Sequence, residues 1–254
     1  MSYAIFQTQL EKPPREALKV ALGAIRGFAA ADADILVNDA YGILAGGLTL
    51  EQAQSLCAAL GREGVATEVV DEDLIVRLPP SRQAKRIDCL REHLLIYDTL
   101  ERVSAVPWGQ VRLVAAGWVV LSEWERKENK RRVTGAMQRE DDQAFERTDI
   151  TTRELNRTRP VLDIILDVSP GRIELLGHEC LYNYLGDRLT VRPSDNFPLL
   201  VKDLATFAER AVLNRGAAHL GNDDDAVFHY PTRHAFEEEI VWLMWSAMGV
   251  RRVR

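Results

Sequence analysis

An α+β fold in two unequal parts is predicted by three features of the sequence. Residues 1–80 alternate strand-like and helix-like segments in the order β-α-β-β-α-β. A Pro79-Pro80 pair then breaks the chain. Beyond it runs a series of short strand-like pieces, closed by an amphipathic helical stretch and a second helical tail after Gly221.

In the first part, Tyr3 to Leu10 has the apolar content of a strand. Pro13 and Pro14 open a helix, because proline is tolerated in the first turn. Ala17, Leu18, Ala21, Leu22 and Ile25 recur at helical spacing, and Gly27 is a stop signal. Ile35 to Val37 reads as a strand, Asn38-Asp39 as a turn, and Tyr41 to Ala45 as the next strand. Gly46-Gly47 reads as a tight strand-to-helix turn. Thr49 and Gln52 match a capping box, which satisfies two otherwise unpaired donors at a helix start. Leu50, Ala53, Leu56, Cys57 and Leu60 form that helix's apolar stripe, Gly61 and Gly64 end it, and Val65 to Val70 is the last strand.

In the second part, the candidate strands are Arg86 to Leu90, Leu94 to Asp98, Val103 to Val106, Val111 to Leu121, Val161 to Val168, Arg172 to Leu176 and Tyr182 to Leu185. Ser194 or Asn196 is the candidate cap of a helix with the stripe Leu200, Leu204, Phe207 and Ala211, ending at Asn214-Arg215-Gly216. Thr232 caps a last helix. Glu237, Glu238 and Glu239 lie toward its positive end and Arg251, Arg252 and Arg254 at its negative end, as the helix dipole favours.

The order of elements over about residues 3–78 resembles the ferredoxin-like, split βαβ arrangement. Several antiparallel strands closed by one helix, with Val106-Pro107-Trp108 followed by Val111 and Val114, resemble the pleckstrin-homology-like barrel of bacterial proteins. Tyr182 to Arg188 followed by a helix at Asn196-Phe197 is similar to an uncharacterised bacterial protein family, a resemblance that implies no activity. The expected architecture is therefore a ferredoxin-like βαββαβ domain (1–80), a small antiparallel pleckstrin-homology-like barrel (81–220) and C-terminal helices (221–254). Neither resemblance selects a function, since such folds host sensors, binders and dimerisation modules alike.

Charge narrows the classes further. The chain carries 32 basic and 38 acidic side chains, net −6, which disfavours affinity built on a basic surface. The block Glu123 to Arg159 holds 10 basic and 9 acidic residues and few large apolar ones, so it reads as a solvated insertion in the barrel. Its cluster Lys127, Lys130, Arg131, Arg132 has no interleaved aromatics for base stacking, and no strong nucleic-acid signal emerges. No apolar stretch is long enough to span a bilayer, and the first ten residues lack the basic start of a secretory signal. Cys57, Cys89 and Cys180 are too scattered for a disulfide or zinc pattern and suggest a reducing, cytoplasmic setting.

No catalytic, cofactor or metal residues are assigned. Gly-x-Ser-x-Gly, Gly-x-x-x-x-Gly-Lys and Gly-x-Gly-x-x-Gly are all missing. His219, Asp223, Asp225, His229, His234 and Glu237 carry metal-ligating chemistry, but in no recognised spacing. In a strand, His178 and Cys180 would share a face and leave Glu179 on the other. The least ordinary surface is the last helix, where Ile240 to Trp245 are six apolar residues in succession. Such a helix is either buried across both halves or a contact surface, since Trp and Met are enriched at interfaces. Trp242, Met244, Trp245 and Met248 are the candidate partner contacts. The expected function is that of a non-catalytic binding or scaffold protein that meets a protein partner or a second copy. The alternatives are a small-molecule sensor using the first domain and a metal-dependent enzyme.

Overall fold

The computed structural model describes residues 1–23, 41–133, 145–168, 171–221 and 228–247. It is of mixed α+β class, with a three-stranded and an eight-stranded sheet. The first part contains β1 (Tyr3–Gln7), α1 (Arg15–Gly23), β2 (Ile43–Leu48), α2 (Leu50–Arg62) and β3 (Thr67–Asp71). β1 lies in the middle, antiparallel to β2 and to β3. The expected helical stripes point onto this sheet: Leu18, Leu22, Leu56 and Leu60 are buried with Ile5, Leu44 and Leu48. The Thr49–Gln52 capping box forms in full. The strand expected at Ile35 to Val37, the turn at Asn38-Asp39 and the Gly27 stop lie outside the described residues.

Gly46 and Gly47 do not make a separate turn. Both lie inside β2, where the register against β1 slips between Ile5↔Ala45 and Tyr3↔Leu48. They form a β-bulge, and Gly47 takes φ 68, a left-handed value that costs glycine little. The Glu72 carboxylate sits against the bulge and accepts the Gly47 N–H at 2.5 Å.

The second part begins with β4 (Ser81–Cys89), β5 (His93–Asp98), β6 (Val103–Pro107), β7 (Val111–Val133), β8 (Phe145–Leu166) and β9 (Arg172–Leu176). α3 (Pro193–Phe207), β10 (Val212–Leu213), α4 (Arg215–Gly221), β11 (His229–Tyr230) and α5 (Arg233–Ala247) follow. The strand order is β10-β7-β8-β9-β4-β5-β6, with β11 also on β7. The expected barrel is not closed. β10 and β11 run parallel to β7 at Leu113–Val114 and Trp118–Val119, and so occupy the edge that β6 would need. The segment Tyr182 to Leu185 is not a strand but the start of a 3-10 turn, Asn183–Arg188. α3 is not capped by Ser194 or Asn196. It starts after Arg192, and the buried Asn196 reaches back to Thr190, accepting its N–H at 2.8 Å and donating to its carbonyl at 2.9 Å.

The central strands are apolar on both faces because both are covered. Val114, Ala116, Leu162 and Ile164 face α3 and α4. Leu113, Ala115, Val161 and Ile165 face α5 and the back of the first sheet, where Ala4, Phe6 and Val70 complete the same core. Strand β1 is therefore also buried on two sides, with Ile5 toward α1 and α2 and Phe6 toward α5.

Candidate functional site

Helix α5 is where the two sheets meet. Thr232 caps it, its hydroxyl accepting the Ala235 N–H at 3.0 Å. Phe236, Ile240 and Leu243 pack into the shared core. Of the residues expected to contact a partner, Trp242 is only 8% exposed within its own chain. Its indole N–H donates to the Gln7 carbonyl at 2.8 Å. Its ring also covers Gly42, where a Cβ would lie 2.9 Å from Trp242 Cγ. Gln7 locks that strand crossing, because its side chain accepts the Gly42 N–H at 2.7 Å and donates to the Glu11 carbonyl at 2.8 Å. Trp245 meets Phe6 edge-on with ring centroids 5.6 Å apart, and both Trp245 and Met244 are half-buried. Met248 lies outside the described residues.

Two buried carboxylates fix this helix, and neither stands out in the sequence. Glu239 is 0% exposed. It accepts the Arg215 main-chain N–H at 2.8 Å, the Arg215 guanidinium at 2.9 and 3.0 Å, and the Tyr230 hydroxyl at 2.8 Å. The Arg215 guanidinium stacks over the Tyr41 ring, 3.0 Å from its centroid. Asn214 extends the network by donating to Tyr230 at 2.8 Å and by pairing with both main-chain groups of Ala116. Burial pushes the Tyr230 phenol above its ordinary value, and the neighbouring Glu239 charge adds to that. Tyr230 therefore stays a neutral donor.

The second carboxylate, Asp163, is also 0% exposed and sits between Val161 and Ile165 on the α5 side of β8. Arg172 approaches it at 2.6 Å and Arg233 at 3.0 Å. Both arginines also hold Glu237, at 2.5 and 3.1 Å. Burial would lower the Arg172 pKa, but Asp163 and Glu237 outweigh it and keep the guanidinium charged. Glu237 is held below the usual carboxylate range, since Arg172 and Arg233 prevail over its partial burial. Asp163 itself is pushed above the usual carboxylate range, because its burial outweighs Arg233 and Arg172, and Glu174 adds a third carboxylate 3.4 Å from Arg233.

The remaining chemical candidates are dispersed. Glu237 is engaged with arginines, His229 is exposed on β11, and His234 pairs with Glu238 at 3.2 Å; Asp223 and Asp225 lie outside the described residues. Among the described residues no three His, Cys, Asp or Glu side chains gather as a metal site. His178 and Glu179 lie in a turn, not a strand, so the Glu179 carboxylate stands 3.5 Å from the imidazole after all. Cys89 and Cys180 are buried, and burial pushes the Cys180 thiol up to about 12. Among the described residues no helix is long and apolar enough to cross a membrane.

One feature projects from this body. The β7–β8 ladder is flanked by other strands only as far as Trp118–Val119 on one side and Val161 on the other. The pairing nevertheless continues from Val120↔Thr158 to Val133↔Phe145 as a two-stranded ribbon, on the order of 45 Å long at the usual strand rise. The stretch Glu123 to Arg159, expected as a solvated insertion, thus extends the two central strands, apart from residues 134–144, which are outside the described set. Lys127, Lys130, Arg131 and Arg132 lie on this ribbon, paired through the main chain with Thr151, Thr148, Arg147 and Glu146.

Compared with family models, with curated proteins and with solved structures, the chain finds no match.

Proposed function

We propose that this is a non-catalytic binding protein that associates with a second copy of itself through the β7–β8 ribbon. The reading rests on the ribbon: two strands that leave the sheet with both main-chain edges unpaired by any other described strand. An isolated two-stranded ribbon is marginally stable in water, so a surface to lie against stabilises it. The dense charge on its strands opposes indiscriminate edge-to-edge pairing. It favours docking onto a surface of opposite sign. Residues 123–133 and 145–159 carry 9 basic and 6 acidic side chains, whereas the whole chain has net charge −6. The body of a second molecule is then the complementary surface. Met244 and Trp245, half-covered on α5, are a secondary contact in this reading.

The test is solution mass by light scattering, at low and at high salt. It compares the full chain with a variant in which residues 122–156 are replaced by an Asn-Gly turn joining Leu121 to Arg157. The full chain should have the mass of a dimer or larger at low salt, and dissociate as salt screens the contact. The shortened chain should be monomeric and folded. A full chain that is monomeric at low salt, or a shortened chain that still dimerises, overturns the reading.

A further inference from the structure

A cleft lined by no residue of the ribbon is a separate candidate site. It opens between the start of β4, the end of β5, β6 and the first residues of β9, with Ile96, Val106 and Ile173 as an apolar floor. Its charged groups are Arg82, Asp98 and Arg102, and among the described residues no other charged side chain lines it. Asp98 is buried and fully occupied. Its Oδ1 accepts the main-chain N–H groups of Leu100 and Arg102, each at 2.9 Å. Its Oδ2 meets Arg82 Nη2 at 2.6 Å and both Nε and Nη2 of Arg102 at 2.7 Å, which leaves the Nη1 side of Arg102 and the Nε and Nη1 of Arg82 not directed at it. The β5–β6 turn holds this arrangement, with Glu101 in a left-handed conformation (φ 60) and its N–H donating to the Asp98 carbonyl.

Asp98 thus fixes two guanidiniums at the mouth of an apolar cleft while using only part of each. The side chains of Arg82 and Arg102 remain 40% and 65% exposed, so donors not directed at Asp98 stay accessible to a ligand. Two cations and one carboxylate leave one uncompensated positive charge. A planar guanidinium matches a planar oxyanion by parallel hydrogen bonds. We propose that this cleft binds a monoanionic carboxylate bearing a short, branched apolar tail. The carboxylate lies on Arg82 and Arg102 and the tail on Ile96 and Ile173. A free short-chain acid and the C-terminus of a peptide ending in valine present the same chemistry.

The experiment is a titration of the full chain, followed by NMR of the Arg Nε–H signals and of the Ser104 and Ala105 amides. The probes are isobutyrate, isobutyramide, inorganic phosphate, and acetyl-Ala-Val with a free or an amidated C-terminus. Isobutyrate should saturate these signals in the millimolar range and isobutyramide should leave them unmoved. Arg102→Gln, an exposed site, should weaken isobutyrate about tenfold. Arg82→Gln should do the same and serves as the second variant. Tighter binding of the free-carboxyl peptide than of isobutyrate identifies a chain terminus as the source; equal or weaker binding identifies a free acid. A flat isobutyrate titration, equal response to the amide, phosphate binding as tightly as isobutyrate, or unchanged affinity in both variants overturns the proposal.

Discussion

The indole N–H of Trp242 donates to the main-chain carbonyl of Gln7 at 2.8 Å, joining the last described helix to the first strand. Phe6 and Trp245 repeat the connection one turn further along, through an edge-on ring contact. The first sheet and the eight-stranded sheet therefore share α5 as a common wall.

Trp242→Ala should destabilise the chain by about 3–5 kcal/mol, the usual cost of emptying a large aromatic site. Trp242→Phe keeps most of the ring and loses the hydrogen bond, so about 1 kcal/mol is expected. Urea unfolding followed by circular dichroism checks both. An alanine variant as stable as the parent would mean that α5 does not join the sheets.

Glu239→Gln should cost about 3 kcal/mol, because the Arg215 guanidinium then loses its buried counter-charge. Tyr230→Phe removes one donor from the same carboxylate and should cost about 1 kcal/mol. Thermal unfolding of the two variants should preserve that order.

Glu237 and Asp98 should make stability fall on the acid side, against an opposite contribution from Asp163, which burial holds above its ordinary range. Glu237 and Asp98 are both held below their ordinary range. For each, burial acts in the opposite sense and is outweighed, by Arg172 and Arg233 at Glu237 and by hydrogen bonds from Arg102 and Arg82 at Asp98. A carboxylate with a lowered folded pKa binds fewer protons folded than unfolded across that window, so stability rises with pH through it. The contribution is complete above the unfolded value, about 4 for these side chains, and is lost as pH drops through the folded one. Urea midpoints measured from about pH 3 to pH 6 should show this slope, and Glu237→Gln should flatten it in part.

Thiol labelling of the native chain with iodoacetamide should modify Cys57 first, because it is half-exposed. Cys89 and Cys180 are buried, and burial raises both thiols. The two should react only after unfolding. Mass spectrometry of the digested protein reads the order, and rapid native labelling of Cys180 would contradict the packing around it.

Much of the first part was legible because its signals are local. The Thr49–Gln52 box and the Leu18, Leu22, Leu56 and Leu60 stripes need only neighbours within a few residues. The Gly46-Gly47 bulge was not, since the carboxylate that accepts its N–H belongs to Glu72, which lies 25 residues away from Gly47. The burial of Trp242 could be posed but not decided from the sequence, because its cover comes from Gln7 and Gly42 at the opposite end of the chain. Asp163 and Glu239 look like ordinary polar positions until Arg172, Arg233 and Arg215 converge on them. The ribbon was hidden for another reason. Its strands have no apolar alternation to read, and their pairing is inherited from the Val111–Leu121 and Val161–Leu166 base. The anion cleft had no sequence signature, because Arg82 meets Asp98 only through the β4–β5 pairing.

The placement of α5 has a consequence for biosynthesis. During translation, Phe6, Leu113 and Val161 emerge long before residues 233–247, the segment that shelters them. A nascent chain stalled short of that helix displays a broad oily surface on each sheet, and holding chaperones that grip such surfaces should stay bound until the final turns leave the ribosomal tunnel.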